Sequence, residues 1–136
     1  MKNTEIVVVG GGPAGLCAAI KAAESGAKVI ILDRNSHLGG QLIKQTHMFF
    51  GSQKQYASTR GVDIAKILIS ELDKYKDNIT VMLDSTVLGL YEDRVLTVEQ
   101  ADKYIKIKPD SIIIATGASE KFLTFPNNDL PGIYGA

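Results

Sequence analysis

Six residues constrain this chain more than any others: Gly10-Gly11-Gly12-Pro13-Ala14-Gly15, set directly behind the apolar run Glu5–Val9 (EIVVV). A β-branched run without polar alternation predicts a strand buried on both faces, as in the middle of a parallel sheet. Pro13 suits the first position of a helix, where its missing N–H goes unused. From Pro13 to Ser25 the residues Leu16, Ala19, Ile20 and Ala23 recur at helical spacing. Ala14, Ala18 and Ala22 form a second row, expected to let the helix lie close to the sheet. Cys17, on the same helix, is expected to be a small buried hydrophobe. Gly26 stands where the helix should stop. Lys28–Leu32 (KVIIL) predicts a second buried strand, with Asp33 at its C-terminal end. Strand, glycine turn, helix and strand make one βαβ unit, whose crossover should be right-handed.

Beyond this unit the pattern loosens. Asn35–Ser58 lacks a period and predicts a long ordered loop, of the kind that often carries function. Ile64, Ile67, Leu68, Leu72 and Tyr75 give one apolar face to a helix over about Val62–Tyr75. Ile79–Leu83 predicts a third strand. Ser85–Tyr91, Arg94–Gln100 and Lys103–Lys108 read as an antiparallel meander with Lys103, Lys106 and Lys108 facing solvent. Ser111–Ala115 (SIIIA) returns to a buried strand, and the tail after it has no regular period. The fold class is α/β, a central parallel sheet with an antiparallel β-meander packed against it.

Composition narrows the function classes. The 136 residues make one domain at most, 45% of them apolar and 22% charged, with a formal net charge of zero. No basic stripe points to nucleic acid or to a membrane surface. No apolar stretch reaches the roughly 18 residues of a membrane span, and the N-terminus does not read as a signal peptide. The single cysteine cannot form an internal disulfide, so the expected location is the cytoplasm. No metal site is expected: His37 and His47 lack a partner pattern. No nucleophile or phosphate-loop lysine motif is present.

The glycine loop carries the chemistry. Gly10 permits the sharp turn out of the strand, Gly12 lets backbone approach a pyrophosphate, and Gly15 lets helix and strand pack closely. Pro13 and Ala14 open the helix, and its N-terminal N–H groups attract an anion. Asp33, placed to accept hydrogen bonds from adenosine ribose hydroxyls, would repel a 2′-phosphate. Arg34 beside it is a candidate for phosphate or adenine contact. These features fit FAD and NAD alike.

Three matches resemble the two-dinucleotide-fold flavoproteins, the pyridine nucleotide-disulfide oxidoreductase superfamily. They are residues 7–33 in their GGGPAG form, Gly39-Gly40-Gln41-Leu42, and Ile112-Ile113-Ile114-Ala115-Thr116-Gly117. The resemblance implies a Rossmann-like domain that binds FAD. It places Gly40 and Gln41 along the FAD ribose and pyrophosphate, Ala115, Thr116 and Gly117 beside the cofactor, and the backbone of Val87 at adenine. Ala118-Ser119-Glu120 and the tail FPNNDLPGIYGA are similar to the branch with sarcosine oxidase alpha, hydrogen cyanide synthase and amino-acid or opine dehydrogenase subunits. Two departures matter. The family's redox cysteine pair is missing, which excludes dithiol chemistry within the chain. Residues 1–136 are expected to be a truncated FAD-binding domain, with 118–136 beginning the crossover to an NAD(P)-binding domain that is not present.

The expected function is the FAD-binding part of an oxidoreductase that moves electrons between a small-molecule substrate, flavin and a nicotinamide. The chain alone is expected to be inactive, and no catalytic residue is assigned. The alternatives are an NAD-binding domain, or a non-catalytic module, either a cofactor-binding subunit completed by a partner chain or an inactive truncation, whose exposed surface would favour self-association. His37 is a lesser candidate for cofactor phosphates. His47 reads as a loop residue, and Phe49-Phe50 as core packing of the long loop.

Overall fold

Alternation along the first strand decides how the layers stack. In the computed structural model, which describes residues 2–119, 121 and 123–134, β1 (Lys2–Val9) turns Val8 to one face of the sheet and Val7 and Val9 to the other. Its neighbours are β2 (Val29–Leu32), then β3 (Ile79–Met82), both parallel to it. On its other side β1 pairs in parallel with β6 (Lys103–Ile114), which leads antiparallel to β5 (Leu96–Gln100) and β4 (Ser85–Leu90). The strand order is β3-β2-β1-β6-β5-β4.

Val8, Val29, Ile31 and Ile79 meet two helices, α1 (Pro13–Glu24) and α2 (Gly61–Asp73). α1 buries Gly15, Leu16, Ala19, Ile20 and Ala23, and α2 buries Ile64, Ala65, Leu68 and Leu72. On the opposite face Val7, Val9, Ile30, Leu32 and Met82 meet Leu96, Val98 and Ile107. The meander therefore covers the sheet face that the helices leave open. Burial of these aliphatic side chains, about 1.5–3 kcal/mol each, holds the layers together.

Several expectations change. The segments Lys103–Lys108 and Ser111–Ala115 are not two strands. β6 runs through both, pairing with β5 up to Ile107 and with β1 from Lys2 to Val9. Pro109 lies past the last β5 pair, where β6 has a single neighbour and a missing N–H is tolerated. For the same reason the SIIIA run is not fully buried: Ile112 and Ile113 are half-buried and Ile114 is 62% exposed. Cys17 is exposed rather than buried, because the stripe through Leu16, Ala19, Ile20 and Ala23 faces the sheet and position 17 is turned about 100° from Leu16. In the small-residue row Ala14 is exposed, while Ala18 and Ala22 are half-buried and Ala22 packs against the helix-side core.

Gly26 does end α1. With φ +90 it closes a Schellman turn: its N–H donates to Ala23 O at 2.9 Å and the Ala27 N–H donates to Ala22 O at 3.2 Å. The long loop after β2 holds short 3-10 helices at Gly40–Lys44 and Gln53–Gln55 and a bridge between Met48 and Arg60. His47 stacks on Phe49 with ring centroids 5.3 Å apart. Phe49 packs against the helix-side core, whereas Phe50 is 95% exposed at the loop tip and is not core. Ile67, expected on the apolar face of α2, is 39% exposed. Glu120 and Gly135-Ala136, parts of the tail pattern, lie outside the described residues, as does Phe122. Among the described residues no helix is long and apolar enough to cross a membrane.

Candidate functional site

The C-terminal ends of β1, β2 and β6 point to one edge of the sheet. In open α/β sheets the chain reverses its winding there and leaves a crevice. Gly10 leaves β1 with φ +107, and its N–H still donates to Leu32 O of β2 at 2.8 Å. Gly15, in the first turn of α1, packs on the Gly10 carbonyl so closely that a Cβ would overlap it, with Val8 Cγ1 a further 3.2 Å neighbour. Helix and strand can approach as they do only because Gly15 has no side chain.

Gly12 differs from its neighbours. It is extended (φ −78, ψ −175), and the nearest atom a Cβ there would meet is Gly40 Cα at 3.8 Å. The space beside it is open. α1 has no side-chain cap, and the N–H groups of Gly12 and Ala14 have no acceptor among the described residues. The helix thus presents unpaired donors and its positive end to the crevice.

The GG segment is fastened to this loop. The Gly39 N–H donates to Gly11 O at 2.8 Å. Gly40, with φ +54, lies so near that a Cβ on it would come within 2.8 Å of Gly12 Cα. Asp33 closes the other end of the loop. Its residue is 6% exposed; Oδ2 accepts the Gly11 N–H at 2.6 Å, and Oδ1 accepts both the N–H and the side-chain amide of Asn35, at 2.8 and 2.9 Å.

These pieces surround a cleft of about 820 Å³. It is lined by Gly10, Gly12, Pro13, Ala14, Asp33, Arg34, Gly40, Gln41, Val87, Ala115, Thr116 and Gly117, so twelve of the thirteen expected residues meet there. Gly15 stays behind the wall, in the packing role its position suggested. His37 lines the cleft; His47 and the Phe49-Phe50 pair do not. Arg34 and Lys44 give the rim a positive cast. Sequence reading missed Lys44, Asn35, Ser85 and Thr86. Asn35, two residues past an acid, has the spacing of a local side-chain turn and could have been found. Ser85 and Thr86 come from the β3–β4 corner, whose Ser85 N–H donates to Asp33 O at 2.8 Å, and no local signal marks that contact.

Fold and cleft define a Rossmann-like α/β domain. The sequence pattern of the family described as Pyridine nucleotide-disulphide oxidoreductase matches residues 4–135, and the chain belongs to that family. Among curated proteins it is 32% identical to sarcosine oxidase subunit alpha of Rhizobium meliloti (strain 1021), over 96% of this chain and 14% of that one. It is 30% identical to hydrogen cyanide synthase subunit HcnB of Pseudomonas protegens, over 93% of this chain and 27% of that one. Among solved structures, L-proline dehydrogenase from P. horikoshii superposes with a TM-score of 0.83 at 25% identity, over 96% of this chain and 26% of that one. The chain thus spans about a quarter or less of the length of these relatives. It is a domain of an oxidoreductase family.

Proposed function

We propose that this chain binds FAD through its ADP half and serves as the cofactor-binding part of a flavin-dependent oxidoreductase. One observation carries the reading: the uncapped N-terminus of α1 opens onto the cleft at Gly12, where unpaired N–H groups face space that no side chain fills. A pyrophosphate fits that chemistry, since the donors and the helix dipole favour a double negative charge. Asp33 stands where it can accept from ribose hydroxyls. Arg34 adds positive charge near the phosphates, and His37 lines the same cleft. Val87 lies on an edge strand, so backbone groups on its outer side are available to adenine. Gly40 and Gln41 face the ribose and pyrophosphate, and Ala115, Thr116 and Gly117 lead along the cofactor toward the flavin.

FAD supplies the redox chemistry when bound; the chain's residues bind and orient it. The rest of the reading concerns the whole protein. There residues 118–136 lead toward a further, NAD(P)-binding domain, and other sequence builds the pocket for a small-molecule substrate. The small share of each relative that the chain covers supports this. It also underlies our expectation that the 136-residue chain by itself binds FAD weakly and has no turnover. A yellow preparation loaded one to one with FAD would contradict the weak binding.

Calorimetric titration with FAD, ADP and NADH tests the assignment. FAD and ADP should bind more tightly than NADH; the reverse order would replace the flavin reading with an NAD site. A second reading, a cofactor-binding module completed by a partner chain, is favoured by the description of both curated relatives as subunits. Light-scattering mass measurement addresses it: association with itself or a partner supports it, and a monomer with full FAD loading and turnover removes it.

A further inference from the structure

We infer that Asn35 is a positioning residue, which holds the Asp33 carboxylate so that one acceptor site stays directed at a ribose hydroxyl of the bound nucleotide. The inference rests on the nucleotide reading of the cleft. A carboxylate offers about four lone-pair positions. Three on Asp33 are occupied from within the chain: one on Oδ2 by the Gly11 N–H, and two on Oδ1 by the Asn35 N–H and side-chain amide. One position on Oδ2 is left, on a side chain that lines the cleft.

The Asn35 amide must present its NH2 to Asp33, because an amide oxygen 2.9 Å from a carboxylate oxygen would repel it. The turn that carries this bond is fixed at both ends. The Asp33 carbonyl accepts the Ser85 N–H at 2.8 Å, and the Asn35 carbonyl accepts the Asp84 N–H at 3.1 Å. Asn35 therefore reaches Asp33 from a backbone that cannot drift. Without the side-chain donor the carboxylate is held only by two backbone N–H groups and gains freedom about its terminal bond. Ordering it would then be charged to each binding event rather than built into the fold. Asn35 is itself exposed, so its replacement should leave the fold largely intact.

The experiment compares ADP with 2′,3′-dideoxy-ADP on the full chain, by calorimetry, in wild type, Asn35→Ala and the isosteric Asn35→Asp. In wild type ADP should bind about tenfold more tightly than the dideoxy compound, the effect of one hydrogen bond to a charged group. In both variants that ratio should fall to about threefold or less, and further in Asn35→Asp, where a second carboxylate replaces the donor. A scaffold role alone would weaken both ligands equally and leave the ratio at its wild-type value; that outcome overturns the inference. If Asn35→Ala does not fold, the isostere carries the test. Wild type binding both compounds equally would remove Asp33 from the ribose and overturn the inference as well. Wild type binding neither would overturn the nucleotide reading on which it rests.

Discussion

The backbone N–H of Gly11 donates to Oδ2 of Asp33 at 2.6 Å, joining residues 22 apart in the chain. This bond ties the loop after β1 to the end of β2. It fixes the spacing between the N-terminus of α1 and the acid. A nucleotide bound as proposed would have to match that spacing, so the bond would link loop stability to ligand fit.

Removing the acid should therefore harm both. Asp33→Ala leaves the Gly11 N–H and the Asn35 donors without their acceptor. We expect a loss of about 2–3 kcal/mol in stability, read by urea unfolding. ADP binding should weaken at least tenfold. Unchanged stability with lost binding would mean that Asp33 serves only the ligand.

Two glycines three residues apart should respond in opposite ways. Gly15→Ala drives a methyl into the Gly10 carbonyl and should destabilise the domain by about 3 kcal/mol. Gly12→Ala meets no closer atom than Gly40 Cα at 3.8 Å, on a backbone that any residue adopts. Its stability should change by no more than about 1 kcal/mol, while ADP affinity falls at least tenfold as the methyl enters the anion's space. Full ADP affinity in Gly12→Ala would move the pyrophosphate elsewhere.

The meander should be as integral to the fold as the helices. Leu96 is fully buried between the meander and Val7, Val9, Ile30 and Leu32. Leu96→Ala should cost about 2–5 kcal/mol in thermal or urea unfolding. Ile114→Ala, at the exposed end of β6, should shift stability by less than about 0.5 kcal/mol. Equal effects at both sites would contradict the layering described above.

Cys17 should react in the native state. It lies exposed on α1, so a thiol reagent such as dithionitrobenzoate should titrate one group per chain without denaturant. Reaction only after unfolding would place the thiol in the core.

Much of this was legible in local pattern. The EIVVV and KVIIL runs, the glycine loop between them and Gly26 at the helix end follow from short-range sterics and periodicity, which a sequence displays directly. The same holds for the turn at Gly10 and the close packing at Gly15, because turn geometry and missing Cβ atoms are local properties. Cys17 was misplaced because a small apolar residue fits either side of an alanine-rich helix, and only the sheet selects the side. The continuity of β6 through Pro109 was not legible, because tolerance of a proline there depends on how many neighbours β6 has, which is set by where β5 departs.

The sequence by itself determined a βαβ unit, an anion-attracting loop and an acid at the next strand end. Tertiary structure alone decided that β6 runs unbroken from meander to parallel sheet, that Ser85 and Thr86 join the cleft, and that the Asp33 carboxylate is already held by the Gly11 N–H. The division has one cause. Backbone conformation is written in neighbouring residues, whereas which lone pair is occupied depends on groups that meet only when distant segments fold together.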